Sequence, residues 1–94
     1  MTQIIQNIDY DEVPNSSMAT GVKLYLEHGI KPGGFLTAII CNDLFGAITR
    51  ADMLNIELIA DWVFFFHNHA PSGSYGSEKI MNDWIEKKRN KNEN

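Results

Sequence analysis

FLTAIICNDLFGAITRA, residues 35–51, decides the fold class, because its first seven residues suit a buried strand as well as a helix. We favour a helix, since apolar side chains keep recurring at helical spacing in the second half of the stretch. These are Leu44, Ala47, Ile48 and Ala51. The polar pair Asn42 and Asp43 is expected to interrupt the helix, with the Asp43 carboxylate capping a second short segment.

The residues before this stretch also predict a helix. Asn15 or Ser16 is placed to cap its start. The pattern runs to about His28, and Gly29 is a natural left-handed stop. One apolar face is formed by Met18, Val22, Tyr25 and Leu26. Residues 1–14 begin with isoleucines and then turn acidic, so we expect an extended arm there.

Two more helices are predicted after this stretch. Asp52 is placed to cap a helix over residues 53–68. Ser77 is placed to cap the last helix, where Glu78 favours the positive end of the helix dipole. Apolar positions recur at helical spacing in both. They are Leu54, Leu58, Ile59, Trp62, Val63 and Phe66 in the first, and Ile80, Met81, Trp84 and Ile85 in the second.

The chain is short enough for one domain, and we predict a single all-α domain over residues 1–94. It is a compact domain of four to five orthogonally packed helices, with the extended arm at residues 1–14 and a basic, fraying tail at residues 87–94. The hydrophobic fraction, 44%, is enough for a core. More aromatic side chains are present than so small a core needs, so a homo-oligomer is expected to bury the remainder.

Charge and composition exclude several classes of protein. Residues 1–86 carry eleven acidic and four basic side chains, hence a net charge of −7, which argues against binding DNA or RNA. No apolar run approaches the ~20 residues that span a bilayer, and no secretory signal pattern is visible. The one cysteine, Cys41, cannot form an internal disulfide and suits a reducing cytoplasm. We expect neither a membrane nor a nucleic-acid partner.

His67-Asn68-His69 spells HNH, the name of a nuclease class whose motif residues are scattered over a ββα metal fold rather than adjacent. Two histidines at this spacing point to different faces of a helix, and zinc needs three or four ligands. A polar helix C-terminus, where histidine favours the negative end of the dipole, accounts for the segment. Cys41 has no neighbouring base and no Ser-His-Asp arrangement stands out, so we predict no metal, no cofactor and no enzyme.

Residues 70–79, APSGSYGSEK, form a donor-rich loop that enters a helix, and two interpretations are open. The backbone of residues 73–77 offers N–H donors to an anion. Ser77 and Lys79 would then meet a phosphate, and Tyr75 would stack on a base. An ordinary interhelix turn with a serine cap explains the same residues. The Walker pattern GxxxxGK[ST] is not satisfied.

Polar side chains also punctuate the apolar middle of the chain. They are Asn42, Asp43, Arg50, Asp52 and Asn55. Arg50 is the only base between Lys31 and Lys79, so it is a candidate phosphate clamp. The alternative is that Arg50 pairs with Asp43, Asp52 or another carboxylate.

The pattern PGGFLTAIICNDLFGAITRAD, followed by Asn55 and Leu58 and then by AP…GSYGS…W, resembles a family of small phage- and prophage-encoded proteins. That family carries, in order, PGGFL-x-A, NDL, AD-x-x-N and P…WGS blocks, and the similarity spans about residues 20–84. Tyr75 stands where the family pattern has tryptophan. The resemblance implies a phage accessory protein that acts in the cytoplasm of a bacterial host, and it supplies no activity.

Small phage proteins often counter host defence, and one way is an oligomeric sponge that sequesters a nucleotide immune signal. By that analogy we expect a non-enzymatic homo-oligomer that binds a cyclic nucleotide or an ADP-ribose-derived signal. The expected ligand-binding residues are Arg50, Asn42, Asn55, Tyr75, Ser77, Lys79 and Trp84. The alternative is an acidic inhibitor or adaptor that docks on a basic surface of a host defence protein. A phage structural or assembly factor is a third interpretation.

Overall fold

The computed structural model describes residues 8–92, and all regular structure in that range is helical. Two short 3-10 helices, Tyr10–Glu12 and Ser16–Met18, precede the α-helices. The α-helices are α1 (Ala19–His28), α2 (Gly34–Ile40), α3 (Leu44–Arg50), α4 (Met53–Glu57), α5 (Ile59–His69) and α6 (Glu78–Asn92). The predicted all-α class is confirmed. None of these helices combines the length and the apolar character needed to cross a bilayer.

The decisive stretch, residues 35–51, folds as α2 and α3 joined by the polar pair that was expected to interrupt it. Asn42 takes a left-handed conformation (φ 63°), which asparagine tolerates better than most residues, and so ends α2. The Asp43 amide donates to the Ala38 carbonyl oxygen at 2.8 Å, while the Asp43 carboxylate accepts from the Gly46 amide at 2.9 Å. One residue therefore closes α2 and caps α3, and the two helices pack against each other.

The helix predicted over residues 53–68 is broken at Leu58, and for this reason residues 8–92 contain six α-helices rather than four to five. The Leu58 amide donates to the Asn55 carbonyl oxygen at 3.1 Å, one residue nearer than in an α-helix, and α5 starts at the next residue. The Asp52 cap is confirmed, since its carboxylate accepts from the Asn55 amide at 2.8 Å. Asn55 ends up buried, next to the break.

The core is centred on Trp62 of α5, which is completely buried. Its ring meets Phe35 of α2 edge-on at 6.0 Å and stacks on Phe66 at 6.5 Å. The flanking helices α1 and α6 add further buried side chains, all of them on the predicted apolar faces. These are Val22, Tyr25, Leu26, Met81 and Trp84. The long-range contacts of the core thus join the first helix to the last.

α1 and α6 pack against each other at a left-handed glycine. Gly29 ends α1 with φ 69°, as predicted, and a Cβ atom built there would lie 2.7 Å from the Ile85 carbonyl oxygen. The Trp84 indole donates to the Tyr25 carbonyl oxygen at 3.3 Å. The approach of the two helices therefore depends on the absence of a side chain at residue 29.

Residues 8–14 depart from the predicted extended arm. Tyr10–Glu12 is a 3-10 helix, and the Tyr10 hydroxyl donates to Glu27 Oε2 of α1 at 2.9 Å. Val13 is buried in the core. This segment folds back on α1 because it has an apolar anchor and a hydrogen-bond partner there, which a local reading of its composition does not reveal. Residues 1–7 of the predicted arm lie outside the described residues.

Residues 87–92 of the tail that was predicted to fray continue α6. The Nζ atoms of Lys87 and Lys88 lie 5.3 and 4.7 Å from the Trp84 ring centroid, so cation–π contacts hold these side chains to the helix. Basic side chains also favour the negative C-terminal end of a helix dipole. Residues 93 and 94 lie outside the described range.

Candidate functional site

A groove of about 590 Å³ opens beside Arg50, within the size range of small-molecule sites. The segment before α2, one side of α2, the residues at both ends of α3 and the first residue of α6 line it. Its polar and charged lining consists of Lys31, Thr37, Cys41, Asp43, Arg50 and Glu78. Two of the four bases in residues 1–86 therefore meet in one groove.

Two glycines make room for the Arg50 side chain. A Cβ atom at Gly34 would lie 3.0 Å from Arg50 Cδ, and one at Gly46 would lie 2.8 Å from Arg50 Nη1. Nη1 donates to the Gly46 carbonyl oxygen at 3.3 Å. The guanidinium is thus oriented by backbone on both sides, although the residue as a whole stays exposed.

Two carboxylates, Asp43 and Glu78, border the same groove, and Asp43 Oδ2 and Arg50 Nη1 both approach the α-carbon of Gly46. In the part of the chain whose side chains are described, residues 8–90, no carboxylate forms a salt bridge with Arg50. One oxygen of Asp43 is used to cap α3 through the Gly46 amide. Pairing of Arg50 with Asp43 or Asp52, the alternative weighed from the sequence, is therefore not formed. Most of the guanidinium donors remain available to another partner.

The Cys41 thiol lies in this groove, and its surroundings make it less acidic. Burial raises the pKa of Cys41, and the nearby carboxylates of Glu78 and Asp43 raise it further, while Lys31 acts in the opposite direction. The protonated thiol is therefore the form present at neutral pH. In that form it is a poorer nucleophile than the thiolate.

We expect iodoacetamide to alkylate Cys41 more slowly in the folded protein than in the unfolded chain, because only the thiolate reacts. Mass spectrometry of samples quenched over time at one mildly alkaline pH, with and without guanidinium chloride, measures both rates. Cys41 is the only cysteine of the chain, so the unfolded chain is its own control. Equal rates in the two states would contradict the raised pKa.

A second hollow, of about 310 Å³, lies between α2, α5 and the loop before α6, and no described residue lines both it and the groove. It holds two of the predicted ligand residues, Asn42 and Tyr75. Apolar side chains form most of its wall, namely Ile39, Val63, Phe64 and Phe66. The Tyr75 ring is tilted against Phe66 with centroids 5.9 Å apart, so part of its surface is already packed.

The loop before α6 is tied to the core rather than open. Ser74 is completely buried, its hydroxyl donates to the Pro71 carbonyl oxygen at 2.6 Å, and its own carbonyl oxygen accepts from the Tyr25 hydroxyl at 2.8 Å. The Gly76 amide donates to the Ile40 carbonyl oxygen at the end of α2, at 2.7 Å. Two of the backbone donors that an anion site in residues 73–77 would use, the Ser74 and Gly76 amides, are thus engaged in the fold.

The remaining predicted ligand residues are placed apart from Arg50. Ser77 caps α6, its Oγ accepting from the Ile80 amide at 3.1 Å. Lys79 forms an exposed ion pair with Asp83 at 2.9 Å, one helical turn further along α6. Trp84 is buried. The structure therefore does not bring Ser77, Lys79 or Trp84 into the groove with Arg50, and Glu78 is the described residue of α6 that lines it.

Asn55 belongs to a buried hydrogen-bond network. Its Oδ1 accepts from Trp62 Nε1 at 3.1 Å and from Asn15 Nδ2 at 3.3 Å. Its own Nδ2 lies 3.4 Å from Met18 Sδ. Asn55 thus joins the segment before α1 to α4 and α5, and it is buried and does not line the groove beside Arg50.

The segment His67-Asn68-His69 forms the C-terminal end of α5, as predicted. His67 and His69 lie in its last turn, and His69 stacks on Phe65 with ring centroids 5.7 Å apart. No group of three or more histidine, cysteine or carboxylate side chains within the described residues is arranged to hold a metal ion.

Sequence reasoning missed Lys31, Gly34 and Thr37 as neighbours of Arg50. A signal was present, because bases are scarce before residue 87 and Lys31 directly precedes the Pro-Gly-Gly break. Lys31 and Arg50 line one groove because α2 and α3 pack against each other, and no local sequence pattern predicts that packing.

The fold and the groove have to carry the functional argument by themselves. Comparison of the chain with protein-family models, with curated proteins and with solved structures gave no match.

Proposed function

We propose that the chain is a non-enzymatic binding protein that captures a small anionic ligand in the groove between Lys31 and Arg50. The observation that carries the proposal is the Arg50 guanidinium, which is oriented by Gly34 and Gly46 and has no salt bridge among residues 8–90. A preoriented guanidinium suits the two oxygens of one phosphate or carboxylate group.

The mixed charge of the groove restricts the class of ligand. Lys31 and Arg50 attract one compact anionic group, whereas Asp43 and Glu78 repel a polyanion and accept hydrogen bonds from hydroxyl or amine groups. The Thr37 hydroxyl donates to the Pro32 carbonyl oxygen at 3.1 Å, so its oxygen presents an acceptor to the groove. A nucleotide combines these features, with phosphate for the bases and ribose or base donors for the acids.

The finer expectation is a nucleotide immune signal, a cyclic nucleotide or an ADP-ribose derivative, sequestered in the cytoplasm of a bacterial host by a phage accessory protein. Its support is the resemblance of the PGGFL, NDL and AD-x-x-N blocks together with the size of the groove. Of the ligand residues expected from the sequence, Arg50 is retained in this proposal. Lys31, Thr37 and Glu78 are added to it.

Arg50→Ala is expected to weaken ligand binding about 10- to 100-fold, the usual effect of removing charge-assisted hydrogen bonds. The experiment is native mass spectrometry followed by titration calorimetry with cyclic dinucleotides, cyclic trinucleotides and ADP-ribose derivatives. Lys79→Ala is the matched control, because it removes an exposed base that is already paired on α6. Its affinity should equal that of the parent protein.

The rate of Cys41 alkylation supplies a second readout. The thiol lines the groove, so a ligand bound there should slow its reaction with iodoacetamide. A ligand that binds equally well to the parent protein and to Arg50→Ala, or that leaves the alkylation rate unchanged, would place binding elsewhere. Failure of every nucleotide in the panel to bind would reject the sponge.

A second candidate function, an acidic inhibitor or adaptor of a host defence protein, is favoured by the eleven acids against four bases in residues 1–86. A basic host surface would recognise that charge through long-range steering. Capture of such a protein should persist in Arg50→Ala and weaken steeply as the salt concentration rises. If the chain is instead a sponge, Arg50→Ala should weaken the binding of its ligand.

A further inference from the structure

We infer that two copies of the chain associate through an uncharged apolar surface of α3 and α5, hereafter the α3–α5 face. It consists of Leu44, Phe45, Ile48, Val63 and Phe64, which are between 44% and 79% exposed. Leu44 and Val63 border one shallow depression, and Val63 and Phe64 border the 310 Å³ hollow next to it, so the surface is continuous. This inference is independent of ligand binding in the groove.

On α3 the face and Arg50 lie on different flanks. Ala47 points into the core, and at 100° per residue Leu44, Ile48 and Phe45 follow one another on one flank of the helix. Arg50 lies on the other flank, while Ala38 and Asp43 line both the groove and the depression beside Leu44. Self-association through this face therefore leaves the Arg50 side of each groove open.

The apolar area matches what a dimer requires. Phe45 is 79% and Phe64 60% exposed, so the two rings leave roughly 200–350 Å² uncovered. With the three aliphatic side chains the face offers roughly 300–550 Å². A stable interface covers about 600–1,000 Å² on each partner and is about 60% apolar, hence roughly 360–600 Å² of apolar surface.

Charge favours a second copy over a different partner. The face contains no ionisable side chain, whereas residues 1–86 carry a net charge of −7. Asp43 lines the depression beside Leu44, and Glu12 and Asp61 line a hollow together with Phe64, so the acids of two associating copies border the contact. The five residues of the face themselves present no charge for a basic partner to complement.

An isologous contact requires that one surface hold both a protruding group and a hollow, and this surface has both. Phe45 is the most exposed side chain of the face, and the hollow walled by Ile39, Phe66 and Tyr75 is also bordered by Val63 and Phe64. A two-fold axis between them would place the Phe45 ring of each copy in the hollow of the other, as an isologous interface requires. Tyr75 and Asn42 would then line the dimer contact instead of a nucleotide site.

The experiment is sedimentation equilibrium of the full chain over a concentration series, with no ligand added. We expect a reversible dimer, twice the chain mass of 10.7 kDa. Phe45→Glu, a change at an exposed position, should raise the dimer dissociation constant by at least about tenfold, and Val63→Glu should act in the same way from α5. Ile30→Glu is the matched control, an exposed isoleucine after α1 and outside the face, and should leave the constant unchanged.

The outcomes separate this inference from the proposed function. A protein that stays monomeric at the highest concentration, or whose Phe45→Glu and Val63→Glu variants dimerise as well as the parent, would overturn the α3–α5 face as the interface. Ligand binding in the groove is measured separately, and its loss or survival leaves this conclusion unaffected. Circular dichroism of each variant shows that the helices remain folded.

Discussion

Replacing Asn55 by alanine is expected to lower the free energy of unfolding by about 2–4 kcal/mol, because two buried donors lose their acceptor at once. The Trp62 indole N–H and the Asn15 amide both donate to Asn55 Oδ1, and all three residues are buried. Water cannot replace the lost acceptor without entering the core. The expected shift of the melting temperature is roughly 10–30 °C downward.

Thermal and urea unfolding followed by circular dichroism measure this effect. Asn82→Ala on α6 is the matched control, since Asn82 is exposed, and it should change stability by less than about 0.5 kcal/mol. Asn55 was also a ligand candidate from the sequence. An Asn55→Ala protein as stable as the parent would show that the buried network contributes little, and a role for Asn55 in binding would regain support.

Gly29→Ala is expected to destabilise the protein by about 2–3 kcal/mol, for two separate reasons. Gly29 has φ 69°, a left-handed conformation that alanine adopts at a cost. In addition, the new Cβ atom would lie 2.7 Å from the Ile85 carbonyl oxygen and 2.9 Å from Lys88 Cβ, so α1 and α6 would have to move apart. Backbone on the facing helix cannot rotate away as a side chain could.

Gly21→Ala in the same helix is the matched control and should have the opposite sign. A Cβ atom at Gly21 meets nothing within 4 Å, so the substitution should raise stability by about 0.5–1 kcal/mol through helix propensity alone. Denaturant unfolding of both variants under identical conditions measures the difference. Destabilisation of similar size by both substitutions would refute the contact between α1 and α6 as its cause.

Several polar and glycine residues in the middle of the chain have structural roles in this fold. Asp43 and Asp52, from the NDL and AD-x-x-N blocks, cap α3 and α4 through their carboxylates. Asn55 completes the buried network. Gly34 makes the space that Arg50 occupies. These residues thus help to fold the middle of the chain, whereas Arg50, which precedes the AD-x-x-N block, is exposed and lines the groove.

Residue types and their local spacing were sufficient to predict the helical class and most helix ends. Caps at Asp43, Asp52 and Ser77 and the stop at Gly29 were predicted from residue type and position. They were predictable because capping links atoms three or four residues apart, and so its rules are local. The helical reading of residues 35–51 was correct for the same reason, since periodicity is contained within the segment.

Which apolar side chains stay exposed and which polar side chains come together depends on how the helices pack, and this is seen only in the folded structure. Val63 continues the helical stripe of Trp62 and Phe66 yet lies half exposed, because no helix in the described part of the chain covers that flank of α5. Trp84, a predicted ligand residue, is buried between α1 and the side chains of Lys87 and Lys88 of α6. Arg50 and Lys31 line the same groove because α2 folds back on α3. Such outcomes depend on contacts between segments far apart in the chain, which residue spacing alone does not specify.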